Sequence, residues 1–238
     1  MDKLKALTEL DLFHGLNPSI LEPVSRFFIP RRYERNQTIW REGYEAVTFV
    51  FIVEGYVKIA KRRNDGGELI VGIFGEDEVI GHMSVYRQER YPASAYALGE
   101  TTTLEIHRSH FQQFLNEHPP LLRALFKHLT HWNTRMVQRL HEIAVLRTEQ
   151  RLAMIFQELA LVAGRRVRLE NGEMGVHIAL PLSRSDIADL INVRTETAIR
   201  HMSKWNRTGP VRTESRGFTI VDRENLERLA SGDNEAAA

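Results

Sequence analysis

The chain has 238 residues, enough for one large domain or two modest ones. It is 42% hydrophobic and 26% charged, the composition of a globular rather than a disordered protein. Its 32 Lys+Arg balance 31 Asp+Glu, so no global charge excess announces a partner, and the absence of cysteine excludes disulfides, thiolate zinc sites, iron–sulfur clusters and a cysteine nucleophile.

No apolar run approaches the ~18 residues of a membrane span, and the start of the chain has no signal-peptide core. The expectation is a cytoplasmic protein with no membrane partner. Leu4, Leu7 and Leu10 recur at helical spacing, and Pro18 opens a second short helix through Ile20, Leu21 and Val24. From about residue 29 to 107 the pattern is one of short strands, at 37–40, 48–53, 56–63, 68–74, 94–98 and 102–107. Turn chemistry separates them, and Asp65-Gly66 is the strongest hairpin signal because glycine accepts positive φ. Many short strands at near-regular spacing predict a sandwich or barrel.

Beyond His107 the period turns helical. Residues 108–117 form one helix, and Pro119-Pro120 start the next. Along it Leu122, Leu125, Leu129, Trp132, Met136, Arg139, Ile143 and Leu146 step by alternating threes and fours. That is a heptad seam interrupted by Arg139, and a narrow seam asks for a partner helix. We expect a C2 homodimer through Leu122, Leu125, Leu129, Trp132, Met136 and Ile143, the alternative being that the seam packs on the chain's own strands. A helix over 149–163, a strand over 176–180 and two short helices over 183–191 and 195–207 follow. A hairpin turns around Ser215-Arg216-Gly217, Asp222 caps a last helix, and the tail from Gly232 is expected to fray.

The two short helices form a helix-turn-helix pattern. Ile187, Ala188 and Ile191 face inward on the first, Val193 plugs the turn, and Ala198 and Met202 bury the back of the second. Thr195, Glu196, Ile199 and Arg200 are left outward, where a recognition helix meets base edges. Arg200 can grip guanine O6 and N7, Glu196 can accept from cytosine N4, and Thr195 and Ile199 can touch a thymine methyl. Local charge agrees: Arg194, Arg200, Lys204, Arg207, Arg212 and Arg216 face only Glu196 and Glu214 between 194 and 216. Ser183, Arg194, Thr197, Lys204, Arg212 and Arg216 are the expected phosphate contacts, the last two on a wing.

The order of motifs resembles the CRP/FNR family of bacterial transcription regulators. The resemblance rests on YERNQTIWREG at 33–43, FIVEGYVKI at 51–59, FGEDEVIG at 74–81, YPASA at 91–95, the long central helix, and RSDIA at 184–188 paired with ETAIR at 196–200. It implies an α+β chain: a cyclic-nucleotide-binding-like β-roll (jelly roll) over 1–118, a dimerisation helix over 119–147, and a winged helix-turn-helix over 148–238. The implied function is a sequence-specific, homodimeric regulator of transcription rather than an enzyme. It would bind double-stranded DNA at a palindrome with TGA half-sites, respond to a signal in the β-roll, and meet RNA polymerase. Glu196 and Arg200 match the family's base-reading pair, while Thr195 stands where the cyclic AMP branch has Arg.

The effector region implied by the resemblance is Gly81, His82, Met83, Tyr91, Pro92, Met136 and Val137. The cyclic AMP branch carries Gly-Glu for the ribose and Arg-Ser for the phosphate. Gly81-His82 and Tyr91-Pro92 stand near those places, and Pro92 has no N–H to give a phosphate. Cyclic AMP is therefore not expected to bind in the family manner. Haem through His82 or His14 is a less favoured option. His107 and His110 flank a strand-to-helix turn with no third ligand nearby, so a solvated face is the simpler reading, and His128 and His131, three apart on the central helix, could act as a pair near a dimer axis. Three alternatives stay open: a signal-independent member of the family, a ligand-binding subunit without DNA function, and an enzyme on a cupin-like barrel.

Overall fold

The computed structural model describes residues 1–64 and 66–232, with residue 131 described by its backbone alone. Asp65 of the expected hairpin turn, and the tail expected to fray beyond Gly232, lie outside the described residues. Contacts divide the chain into two compact units, Met1–Lys61 with Phe74–Val137, and Arg62–Ile73 with Gln138–Ala238.

The first unit opens with α1 (Lys3–Glu9), capped by the Asp2 carboxylate on the Leu4 and Lys5 amides, and α2 (Pro18–Ser25). Eight strands follow along the chain: β1 (Ile29–Tyr33), β2 (Thr38–Trp40), β3 (Thr48–Glu54), β4 (Val57–Arg62), β5 (Glu68–Phe74), β6 (Val79–Ile80), β7 (Ser94–Ala97) and β8 (Thr101–His107), of which β5 up to Ile73 falls in the second unit. They make two four-stranded sheets, ordered β1-β8-β3-β6 and β2-β7-β4-β5, which form the roll. Phe49, Val50, Phe51 and Ile52 of β3 are all buried, so this central strand is a continuous apolar run rather than an alternation. Phe13, Phe49, Phe51 and Phe111 pack there, with Phe49 and Phe111 rings 4.7 Å apart. α3 (His82–Arg87) leaves the roll behind Gly81, which takes φ 75°, and α4 (Arg108–Glu117) leads into α5 (Pro119–Val145).

Three elements of this unit carry no pattern in the sequence. β1 reads Ile-Pro-Arg-Arg-Tyr, and it forms because an edge strand needs pairing on one side only, here with β8, and tolerates Pro30. β6 spans two residues, and α3 is a single short helix.

The long helix corrects the expected seam. Leu121 and Leu125 are buried in the core of the roll, and Leu129 and Trp132 pack against it. Leu121 and Leu125 are thus covered by their own chain and Leu129 and Trp132 in part, whereas Leu122 of the expected seam stays exposed. The alternating count joined positions from two adjacent faces of α5.

The second unit contains α6 (Thr148–Ala163), β9 (Gly164–Arg168), β10 (Met174–Ile178), α7 (Arg184–Leu190), α8 (Thr195–Thr208), β11 (Val211–Glu214), β12 (Gly217–Ile220) and α9 (Arg223–Ser231). The strands form one antiparallel sheet ordered β11-β12-β10-β9. β9 is an arginine-rich edge strand, and its pattern gave no sign of one. Phe156 of α6 sits at the centre of the core, with its ring 5.2 Å from Phe218 and 6.1 Å from Trp205. The units differ from the three-part division expected above. The end of α5 and residues 62–73, the hairpin turn with nearly all of β5, belong with the C-terminal unit.

The wing turns through Gly217 at φ 140°, where a Cβ would collide with the Ile178 carbonyl oxygen. Gly217→Ala is expected to destabilise the C-terminal unit by at least ~2 kcal/mol in chemical denaturation, since strain and clash add. Gly172→Ala, at φ 86° with open space around it, is expected to cost only about 1 kcal/mol of backbone strain.

Candidate nucleic-acid interface and effector region

α7 begins at a capping box. Ser183 Oγ accepts from the Asp186 amide at 3.0 Å, and the Asp186 carboxylate accepts from the Ser183 amide at 2.8 Å. The helix buries Ile187, Ala188 and Leu190. The turn passes through Ile191 and Asn192, which takes φ 52°, and the Val193 amide donates to the Ala188 carbonyl at 3.0 Å. Asparagine tolerates that left-handed conformation better than most residues.

α8 shows its back and its front clearly. Ala198, Met202 and Trp205 are buried at helical spacing. Glu196, Ile199 and Arg200 are exposed, with Ile199 41% open to solvent, and Thr195 and Thr197 are half-buried beside them. The four residues expected to read bases therefore share the outward face near the helix N-terminus.

The back of α8 is fixed by Glu149 of α6, which accepts from Trp205 Nε1 at 3.0 Å and from Lys204 Nζ at 3.3 Å. Burial opposes the charge on Glu149, but the indole and the ammonium outweigh it and hold its pKa below the usual carboxylate value.

Two of the residues expected to contact phosphate have partners within the chain. Lys204 is turned toward Glu149, a carboxylate of its own chain. Arg212 Nη1 donates to the carbonyls of Trp205 at 2.7 Å and Gly209 at 2.8 Å, so its guanidinium closes the C-terminal end of α8. Arg194 and Arg216 are exposed, Arg194 as the N-cap residue of α8 and Arg216 at the wing tip. Arg207 is exposed as well.

In the roll, Tyr91 stacks on Trp40 with rings 4.5 Å apart. Burial, with the Glu105 charge adding to it, pushes the Tyr91 phenol up to about 12, and its hydroxyl donates to the Thr48 carbonyl at 3.2 Å. A Cβ placed on Gly81 would lie 3.1 Å from the Tyr91 ring and 3.3 Å from Trp40. Pro92 is exposed, and its carbonyl accepts from Lys61 Nζ at 2.8 Å. Met83 and Val137 are exposed and Met136 is half-buried. His82 is buried. Its Nδ1 lies 2.8 Å from the Val79 carbonyl, which places the proton there, and its Nε2 has no protein hydrogen-bond partner. The His128 and Trp132 rings meet His82 edge-on at 6.1 and 6.2 Å. Sequence spacing gave no sign that these three rings converge.

His107 and His110 take local structural roles, while the His131 side chain of the other expected pair lies outside the described residues. His107 Nδ1 accepts from the Ser109 amide and caps α4, while His110 stacks on Phe27 at 4.0 Å. His14 is exposed at the end of a 3₁₀ turn. Among the described residues no group of three or more His, Cys, Asp or Glu is placed to hold a metal ion, and no helix is long and apolar enough to cross a membrane.

Two family descriptions match the chain in order, a cyclic nucleotide-binding domain over residues 30–118 and a Crp-like helix-turn-helix domain over 150–229. A "CRP-like cAMP-activated global transcriptional regulator" of Mycobacterium tuberculosis is 24% identical over 234 residues, covering 97% of this chain and all of that one. The "Nitrogen fixation regulation protein FixK" of Bradyrhizobium diazoefficiens is 26% identical over 210 residues, 84% of this chain and 81% of its own length. The solved structure of FixK2 from Bradyrhizobium japonicum superposes with a TM-score of 0.72 at 20% identity, over 89% of this chain and 99% of that one, which shows the shared fold. With both domains matched in order and relatives spanning nearly the whole chain, this protein belongs to the CRP/FNR family of DNA-binding transcription regulators and is not an enzyme.

Proposed function

We propose that the protein works as a homodimer that reads a palindromic DNA site with TGA-type half-sites, under control of a signal received in the β-roll. The observation that carries this is the division of α8 into a buried back, Ala198, Met202 and Trp205, and an outward front of Thr195, Glu196, Ile199 and Arg200. That front supplies a guanidinium fork for guanine, a carboxylate for a cytosine amine and two methyl-bearing groups for thymine. Ser183, Arg194, Thr197 and Arg216 are the proposed phosphate contacts that set its register.

The dimer face we propose is shifted from the expected one. Leu122, Phe126, Val137 and Leu140 are exposed, Phe126 by 65% and Leu140 by 68%. At ~100° per residue these four fall within about 60° of one another on α5. Asn133, also exposed, lies in the same stripe, where one polar residue favours a single pairing register. Such a stripe suits a two-fold partner helix, and two-fold symmetry would present the recognition helices to major grooves ~34 Å apart.

For the signal, we propose that cyclic AMP is not bound in the family manner. The Trp40–Tyr91 stack occupies the space beside Gly81, and the exposed Pro92 offers no amide. The region under His82, where Nε2 lacks a partner, better supports an effector contact. A regulator needs a ligand that binds its two states unequally, and an unsatisfied buried imidazole is a group whose state such a ligand changes.

A selection on random duplexes tests the central reading, and recovery of a palindrome with TGA halves is the expected result. Arg200→Ala is expected to lose about 1–3 kcal/mol and relax the preference at one guanine per half-site, whereas Arg216→Ala weakens all sequences alike and flattens the salt dependence. Phe126→Glu with Leu140→Glu is expected to give monomers in sedimentation, while dimers surviving that change would remove the proposed face.

Burial, with the His128 charge adding to it, holds the His82 imidazole down at about 4 from its ordinary 6.5. Between those values the unfolded chain binds the extra proton, so this group's stability contribution is full above pH 6.5 and falls with pH toward 4, by up to ~3 kcal/mol. His82→Gln is expected to remove that component, read as the difference between the two denaturation profiles over this pH range.

A further inference from the structure

Three consecutive residues of the helix-turn-helix turn are each held by an arginine, and each arginine comes from a different element. The Leu190 carbonyl accepts from Arg139 of α5. The Ile191 carbonyl accepts from Arg151 Nη1 of α6 at 2.8 Å. The Asn192 side-chain oxygen accepts from Arg63 Nη1, at the tip of the β4–β5 hairpin, at 3.3 Å. We infer that Arg63, Arg139 and Arg151 form a clamp that positions the recognition helix, and that its Arg63 arm lets the hairpin bias how that helix is presented to DNA.

The physical case starts at the end of α7. A helix leaves its last four carbonyls without intrahelical donors, and its C-terminus carries partial negative charge. Guanidinium groups satisfy both needs, and two of them reach the last turn here. Arg139 is 9% exposed and is balanced by Glu142, 6% exposed, at 3.3 Å. An arginine buried in an otherwise apolar helix face is costly unless it is fully partnered, and this one spends its second nitrogen on the turn. That explains the break in the heptad pattern: Arg139 serves the helix-turn-helix rather than a seam. Val71, Gly72 and Ile73 of the hairpin line the same cleft as Arg139 and Leu190. Arg63 differs from the other two. Its contact is exposed and long, so it is the arm that releases at least cost.

The consequence rests on the DNA-reading function proposed above. Residues 190–192 immediately precede Arg194, the N-cap of α8, so a shift of the turn is passed directly to the outward face. The hairpin is covalently continuous with β4, which pairs with β7 of the roll. Arg63, Arg139 and Arg151 are positioning residues, touching neither base nor phosphate.

The test is a double-mutant cycle on the releasable arm. Arg63→Ala removes the donor, and Asn192→Gly removes the acceptor while still accepting φ 52°. Each is expected to change the dissociation constant for the selected duplex by about three- to ten-fold at unchanged thermal midpoint, with the double variant no further displaced than either single one. Arg63→Lys, which keeps a cationic donor, is expected to restore most of the effect. Additive effects, or no effect, would overturn the clamp. Hydrogen exchange reads it without DNA, and faster exchange confined to residues 184–200 is expected in Arg63→Ala and in Arg139→Gln paired with Glu142→Gln. Unchanged exchange in both overturns it. A wild-type protein that selects no duplex defeats the DNA-reading proposal alone, and the exchange result still decides the clamp.

Discussion

The shortness of α7 is the constraint on which the DNA-binding unit depends. With seven residues, the helix has more orphan backbone groups at its ends than hydrogen bonds within it. Its start is closed by the Ser183–Asp186 box. Its end is closed by Arg139 and Arg151. Neither end could be left open next to Ile187, Ala188 and Ile191, all fully buried, because an unsatisfied polar group there costs more than the packing of so small a helix returns. The same rule holds at α8, where Arg212 closes the far end from the wing and Glu149 ties down the back.

This requirement explains what the sequence hid. The local charge of 194–216 says only how many cations lie there, not which of them are turned outward. Two of them, Lys204 and Arg212, are committed to their own chain, and only the three-dimensional partners Glu149, Trp205 and Gly209 reveal it. Arg139 was visible as an irregularity, but its cause lay 51 residues away at Leu190. The helix-turn-helix itself was legible, since buried and exposed positions of α8 follow helical spacing and Ser183 announces its cap. The core strands of the roll were legible for a similar reason: β3 is a continuous apolar run and β8 is rich in β-branched residues. β1 and β9 were not, because an edge strand is stabilised by backbone pairing that its side chains need not advertise.

The long helix shows how a strong pattern misleads. Alternating threes and fours fit Leu122, Leu125, Leu129 and Trp132, and the arithmetic is sound. But a helix with two apolar faces at a narrow angle satisfies the same count twice. Leu125 and Trp132 belong to the face turned to the roll, while Leu122, Phe126, Val137 and Leu140 belong to the one left exposed. Periodicity measures whether a stripe exists. Which surface covers it depends on the volume of apolar core nearby, and Phe49, Phe51 and Phe111 supply that surface within the first unit.

The commitment of Lys204 and Arg212 also bears on how DNA is held. Arg194, Arg200, Arg207 and Arg216 remain exposed, and Glu196 and Glu214 share their surface. Glu214 is itself drawn to Thr219 and to His177, whose Nδ1 lies 3.4 Å from it. A face with so few uncommitted cations cannot rely on counterion release alone for its affinity. On the function proposed above it draws on directed groups, the Arg200 fork and the Glu196 carboxylate, together with the N-terminal end of α8, whose dipole favours an anion without a side-chain charge. Directed groups lose their value when misplaced by an ångström, whereas a diffuse basic patch does not. An interface built from them needs its backbone fixed from behind, and the buried arginines, Glu149 and Trp205 lie where that fixing is done.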